Sequence, residues 1–209
     1  MIITLAGVIG VGKSSMTHLL SELLETKAVY EPVEDNPLLE KFYADKKKYG
    51  FLFQIYMLSK RFELIQEAMS VKNGILDRSM YEDSIFLNML KELEPLPKKS
   101  PDLMIVLNCS FDEEIKRINK RARDFEKVEE GTELYEYFRT HHANYQEWMN
   151  KDLGFPKLII DVTSLDYVNN QEHRREVLMT ILDELFHVGA ISGEEHTYFS
   201  KKVCTSQSF

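Results

Sequence analysis

The stretch GVIGVGKSS contains Gly7-x4-Gly12-Lys13-Ser14, the full spacing of a phosphate-binding loop, with a β-rich run before it and a leucine-spaced helix after it. Glycines let backbone N–H groups close around phosphate oxygens, and a helix N-terminus adds partial positive charge. Gly7, Val8, Ile9, Gly10, Val11, Gly12, Lys13, Ser14 and Ser15 therefore form a candidate cradle for a nucleoside triphosphate. Lys13 would reach the β- and γ-phosphates, and the Ser14 hydroxyl would ligate Mg²⁺. The plain alternative is a strand–helix turn without a ligand. The joint presence of spacing, lysine and flanking elements argues against it.

Two carboxylates and an arginine complete a reacting set. Glu31 precedes Pro32, which pushes it into an extended conformation after a short strand. There it could take a proton from an attacking hydroxyl, or equally be a solvated loop residue. In GILDRSMYEDS an apolar strand ends in Asp77, the place of an acid that helps hold Mg²⁺. Arg78 follows, able to clamp a phosphate or to orient Glu31 through a bidentate pair. Ser79 with Glu82 also reads as a helix capping box, which is compatible with catalysis nearby.

Arg117, Arg121 and Arg123 gather in EEIKRINKRARDFEK, a basic island in an acidic chain. Arginines closing over a transferring phosphate would stabilise its charge and exclude water. The bland reading is a solvated helix balanced by Asp112, Glu113 and Glu114. Gln54 and Arg61 are two helical turns apart and project from one face, with Phe51, Phe53, Tyr56 and Leu58 around them. That pattern reads as a pocket or as a solvated helix face. His141 and His142 lie in an aromatic helix and read as packing or solvated groups, not as a metal site.

The elements that must position these groups alternate. Short apolar runs at 2–6, 74–77, 102–108 and 157–161 suit strands buried on both faces of a parallel sheet. Helical patterns span 49–72, 81–93, 111–123, 132–151 and 169–186. Strand–helix alternation predicts right-handed βαβ units and an α/β doubly wound fold. KELEPLPKKSP reads as an internal connector. The tail from Ser192 matches no motif and reads as partly disordered or as an added edge element.

At 209 residues the chain fits one domain over 1–209, with a lid at about 115–128 and a tail over 187–209 of unassigned role. A formal net charge of −8 argues against a general nucleic-acid binder. No apolar stretch approaches the roughly 20 residues of a membrane span. Two cysteines and no leader pattern point to the cytoplasm. Within the phosphate-loop class, the guanine-reading Asn-Lys-x-Asp and an ABC-type signature are both missing from the sequence, which leaves a kinase of a small acceptor.

GVIGVGKSS, YEPVEDNP, FLFQIYMLSKRF, DRSMYEDS and RARDFE, in this order, resemble the P-loop deoxynucleoside kinase family over roughly residues 1–186. The resemblance implies a five-stranded parallel sheet flanked by helices, a homodimer, and transfer of the γ-phosphate of ATP to a deoxynucleoside 5′-hydroxyl. It makes Glu31 the general base and puts Arg78 near the 5′-hydroxyl. Tyr43 and Glu126 fall where the family contacts the sugar 3′-hydroxyl. Gln54 reads the base edge, Arg61 and Asp83 form the polar end of the pocket, and Arg117, Arg121 and Arg123 belong to the lid. The adenine of ATP is expected near VTSLDYV.

A Gln amide can donate to N1 of adenine and accept from its amino group, and cytosine offers the same pattern. The similarity to bacterial deoxyadenosine kinases favours deoxyadenosine, with deoxyguanosine and deoxycytidine open. Two other functions compete: a thymidylate-type nucleoside monophosphate kinase and a non-catalytic nucleotide-binding regulator.

Overall fold

Five short strands run in one direction and carry the site at their C-terminal ends: β1 (Ile2–Gly7), β2 (Lys27–Val29), β3 (Gly74–Asp77), β4 (Leu103–Asn108) and β5 (Lys157–Asp161). The structure is a computed structural model and describes residues 1–30, 36–70, 74–78, 100–121 and 127–205. All strand pairs are parallel, in the order β2-β3-β1-β4-β5. From β1 the chain lays β2 at one edge, returns to insert β3 between them, and then builds outward on the other side through β4 and β5. The ends of β1, β3 and β4 therefore border the crevice where doubly wound sheets bind ligands.

The central strands are continuous apolar runs because helices cover both faces. Ile3, Leu5 and Leu103 through Leu107 are sealed from solvent. Helix α1 (Lys13–Leu23) buries Met16, Leu19, Leu20 and Leu23, the i, i+3, i+4, i+7 spacing of an amphipathic helix. β5 is one of the two sheet edges, with β2 at the other, and its Ile159 is exposed.

α2 (Leu39–Ala44) is a short helix that hydrophobic periodicity does not announce, and α3 (Lys46–Met69) follows it directly. Asp45 separates them and caps α3, its carboxylate accepting from the Lys48 N–H at 3.0 Å. α3 thus starts three residues before the expected position 49. α4 (Phe111–Arg121), α5 (Glu133–Met149) and α6 (Gln171–His187) match the remaining expected helices to within two residues at the ends described. The helix expected over 81–93, the Ser79–Glu82 capping pair and most of KELEPLPKKSP lie outside the described residues.

The tail, expected to be partly disordered or an added edge element, folds as an added helix, α7 (Gly193–Thr205), as far as residue 205. Ser192 and Glu195 form a reciprocal capping box at its start: the Ser192 N–H donates to Glu195 Oε2 at 2.8 Å and the Glu195 N–H to Ser192 Oγ at 3.2 Å. Lys202 then donates to the Glu22 and Leu23 carbonyls and to Glu25, covering the C-terminal end of α1. Among the described residues no helix is long and apolar enough to cross a membrane.

Candidate active site

The phosphate loop leaves β1 at Gly7 and enters α1 at Lys13. A Cβ at Gly7 would lie 2.3 Å from the Leu107 carbonyl oxygen, so β4 itself excludes any side chain there. Gly12 sits at φ 104, and a Cβ would meet the Tyr167 hydroxyl at 2.0 Å. Tyr167 is buried, and its hydroxyl lies 2.9 Å from the Gly12 carbonyl oxygen and 3.1 Å from that of Val11. On the other side the Gly7 N–H donates to the Tyr145 hydroxyl at 2.8 Å. Lys13 is nearly buried, its ammonium 2.9 Å from both the Gly7 and Val8 carbonyl oxygens. The first turn of α1 has no side-chain cap and no acidic residue of its own, which leaves the N–H groups of its positive end without a capping side chain.

Ser14 and Asp77, far apart in sequence, are brought together: Ser14 Oγ donates to Asp77 Oδ2 at 2.5 Å. This bond joins the start of α1 to the end of β3. Arg78, next in the chain, has φ 106, a region that non-glycine residues rarely occupy and that recurs at functional sites. Its positive charge acts on two α5 residues, Tyr137 and His141.

α5 turns a row of aromatic and polar side chains toward this centre. Burial, followed by the charges of Arg78 and Lys13, pushes His141 down to about 4, so it is neutral at ordinary pH. Its ring lies between those of Tyr137 and Tyr145, at 6.2 and 5.9 Å. Tyr30, the last described residue before Glu31, has its hydroxyl pKa raised by burial and then by Asp77. β2 therefore delivers the chain beside the end of β3. Glu31 itself lies outside the described residues, as do Asp83, Arg123 and Glu126.

Across from α5, α2 and α3 meet through aromatic stacking. Phe42 stacks on Phe53 with centroids 4.5 Å apart, and Tyr43 packs edge-on to Phe42 at 5.4 Å. Lys46 lies over the rings of both Tyr43 and Tyr137, which links this wall to α5. Gln54 is half-buried and Arg61 is buried on the same face of α3. Phe51 departs from the expected pocket: it is 66% exposed, pointing away from the buried face.

Arg117, expected in the lid, reaches the phosphate loop itself. Its guanidinium is tied to backbone carbonyls, 3.1 Å from Val11 and 2.8 Å from Val162, while Nε donates to Glu113 at 2.8 Å. It anchors the phosphate loop to the turn after β5. The pairing holds the Glu113 carboxyl below its usual range. Arg121 is exposed at the end of α4. Sequence reasoning missed Tyr145 and Tyr167. Tyr145 lies within a helix and Tyr167 in a loop, and only their aromatic character marks them.

Hydrogen-bond donors around a loop, a cation, a hydroxyl–carboxylate pair and an aromatic wall together suit phosphoryl transfer from a nucleotide to a flat, sugar-bearing acceptor. Comparison with known proteins agrees. The family model described as deoxynucleoside kinase matches residues 3–187. A deoxyguanosine kinase of Lactobacillus acidophilus is 41% identical, over 91% of this chain and 93% of its own. A deoxyadenosine kinase of the same organism is 36% identical, over 90% and 98%. The structure of deoxyadenosine kinase from M. mycoides with bound dATP superposes with a TM-score of 0.71 at 31% identity, covering 88% of this chain and 100% of that one. The chain belongs to the deoxynucleoside kinase family.

Proposed function

We propose that this protein transfers the γ-phosphate of ATP to the 5′-hydroxyl of a purine deoxynucleoside, deoxyadenosine first, as a salvage enzyme of the cytoplasm. The observation that carries the reading is the Ser14–Asp77 contact beside Lys13, which unites the phosphate loop with the strand that presents Arg78. Relatives named for both purine substrates align over about nine tenths of the chain. Deoxyguanosine is the second reading, favoured by the 41% identity to a kinase of that name.

In this reading the loop amides and Lys13 hold the β- and γ-phosphates. Ser14 and Asp77 offer two hard oxygen donors at one point, a set that fits Mg²⁺. That ion, when bound, would neutralise phosphate charge. Glu31 accepts the proton of the 5′-hydroxyl as its oxygen bonds to the γ-phosphorus and ADP departs. Arg78 holds the hydroxyl and the transferring group, and Arg121 and Arg123 add charge from the lid. Arg117 serves them by fixing the loop. Tyr43 and Glu126 take the 3′-hydroxyl, Gln54 reads the base edge, and Arg61 with Asp83 closes the pocket. The whole chain acts as one unit, α7 included, and pairs with a second copy as a homodimer.

Initial rates with the four deoxynucleosides and Mg·ATP, measured beside deoxyadenosine monophosphate, test this. Phosphorylation of deoxyadenosine or deoxyguanosine ahead of the pyrimidines is expected. A preference for the monophosphate would establish the thymidylate-type alternative instead. A Glu31→Ala variant that binds ATP without turnover is expected, and unchanged turnover would remove Glu31 from the mechanism.

A further inference from the structure

Behind the phosphate loop, α4 and α5 are joined by a buried polar chain that the reaction scheme above does not use. Glu114 of α4 is sealed from solvent, and its Oε2 lies 2.6 Å from His142 Nδ1 on α5. Gln146, one turn further along α5, places its amide nitrogen 3.1 Å from His142 Nε2 and 2.7 Å from Asn108 Oδ1 at the end of β4. An amide nitrogen can only donate, so Nε2 accepts. The ring proton therefore sits on Nδ1 and is donated to Glu114. The chain of bonds has one direction, from Gln146 through His142 to Glu114.

Both helices so joined hold the loop. On α4, Ile118 and Arg117 pack on Gly10, within 3.3 to 3.5 Å of where a Cβ would stand, and Arg117 takes the Val11 carbonyl. On α5, Tyr145 takes the Gly7 N–H. Glu114 lies one turn before Ile118, and His142 lies three residues before Tyr145. A change in the spacing of α4 and α5 would move the two grips on the loop against each other. We propose that Glu114 and His142 are positioning residues for the phosphate donor: their hydrogen bond sets the separation of α4 and α5 and so the shape of the loop that grips the triphosphate. The proposal rests on the reading of the loop as the ATP site.

The test is calorimetric titration of Mg·ATP into the full-length protein, with steady-state kinetics alongside. Glu114→Ala and His142→Ala should each weaken ATP binding by about tenfold, with the same rise in KM for ATP and little change in KM for the deoxynucleoside. The double variant should be no weaker than either single one, because both remove the same bond. Glu114→Gln should restore wild-type affinity, since its amide oxygen can still accept from Nδ1. Unchanged ATP affinity in folded Glu114→Ala protein would overturn the proposal. So would a Glu114→Gln variant as weak as the alanine one, or additive losses in the double variant. A lowered Tm with unaltered ATP affinity would mark the pair as structural only and overturn it too. A wild-type protein that binds ATP but phosphorylates no deoxynucleoside would refute the kinase reading alone, since the titration does not depend on turnover.

Discussion

The Tyr167 hydroxyl stands 2.9 Å from the carbonyl oxygen of Gly12, so the turn after β5 supports the phosphate loop from behind. One hydroxyl proton serves two neighbouring carbonyls, and each also has another donor: the Met16 N–H for Gly12 and Arg117 for Val11. Tyr167→Phe should therefore remove about 0.5–1.5 kcal/mol of stability, not the larger penalty of an orphaned group. KM for ATP should rise a few-fold while KM for the nucleoside holds. Thermal unfolding and steady-state kinetics read the two effects.

Gly12→Ala tests the same contact from the other side. A methyl group would collide with the Tyr167 hydroxyl and would occupy a backbone conformation that L side chains rarely adopt. Tyr167 is itself buried. Turnover should fall by about 100-fold or more with weakened ATP binding, the size of effect expected when a bound geometry shifts by about an ångström. The double variant Gly12→Ala/Tyr167→Phe should recover part of the loss by relieving the clash.

Asp77→Asn should lower kcat by about 100-fold and raise the Mg²⁺ concentration needed for half-maximal rate, because a neutral amide is a poorer ligand for a hard cation. Ser14→Ala should act in the same direction. A magnesium titration of initial rate at saturating ATP separates both from simple loss of nucleotide.

Burial pushes the Glu114 carboxyl up to about 8, against an ordinary value of 4.5, and Lys13 only partly opposes this. Between those limits the folded protein keeps a proton that the unfolded chain releases, so stability falls as pH rises. His141, pushed down to about 4 from 6.5, works the other way: below 6.5 the unfolded chain takes up a proton that the folded protein refuses. The Glu114 effect is therefore cleanest from pH 6.5 to 8. Wild-type Tm should decline across that window, and Glu114→Gln should flatten the decline. A His141→Phe variant should instead soften the loss of stability between pH 6.5 and 4.

Removing residues 193–209 takes away the buried Val203 and the Lys202 contacts with the end of α1. A loss of about 2–3 kcal/mol is expected, or roughly 5–10 °C in Tm for a chain of this size. Lys202→Met alone should cost only part of this, because the Glu25 carboxylate it pairs with is exposed and screened by solvent. Nucleoside preference should be unaffected by either change.

Much of the centre was legible because its information is local. Gly7 through Ser14 and the strand ending in Asp77 each carry their meaning within a few residues, and continuous apolar runs marked the strands. The six residues of α2 are too few to show a period. α7 was missed although its Ser192–Glu195 capping box stands in the sequence, because no apolar repeat follows it clearly. The charge of Arg117 and its neighbours point to the phosphates. Its contacts with the carbonyls of Val11 and Val162 are not legible, because backbone groups are provided by any sequence. The Glu114–His142 bond spans 28 positions, and only the packing of two helices creates it.

The carbonyl oxygens of Gly7, Val8, Val11 and Gly12 all face donors supplied by the protein itself: Lys13, Arg117 and Tyr167. These four carbonyl oxygens of the loop are thus turned onto the scaffold. An incoming anion meets little repulsion from these oxygens, and a bare cation finds few of them to coordinate. Discrimination by sign of charge is in this way written into the main chain, and the side chains act as its outer lining.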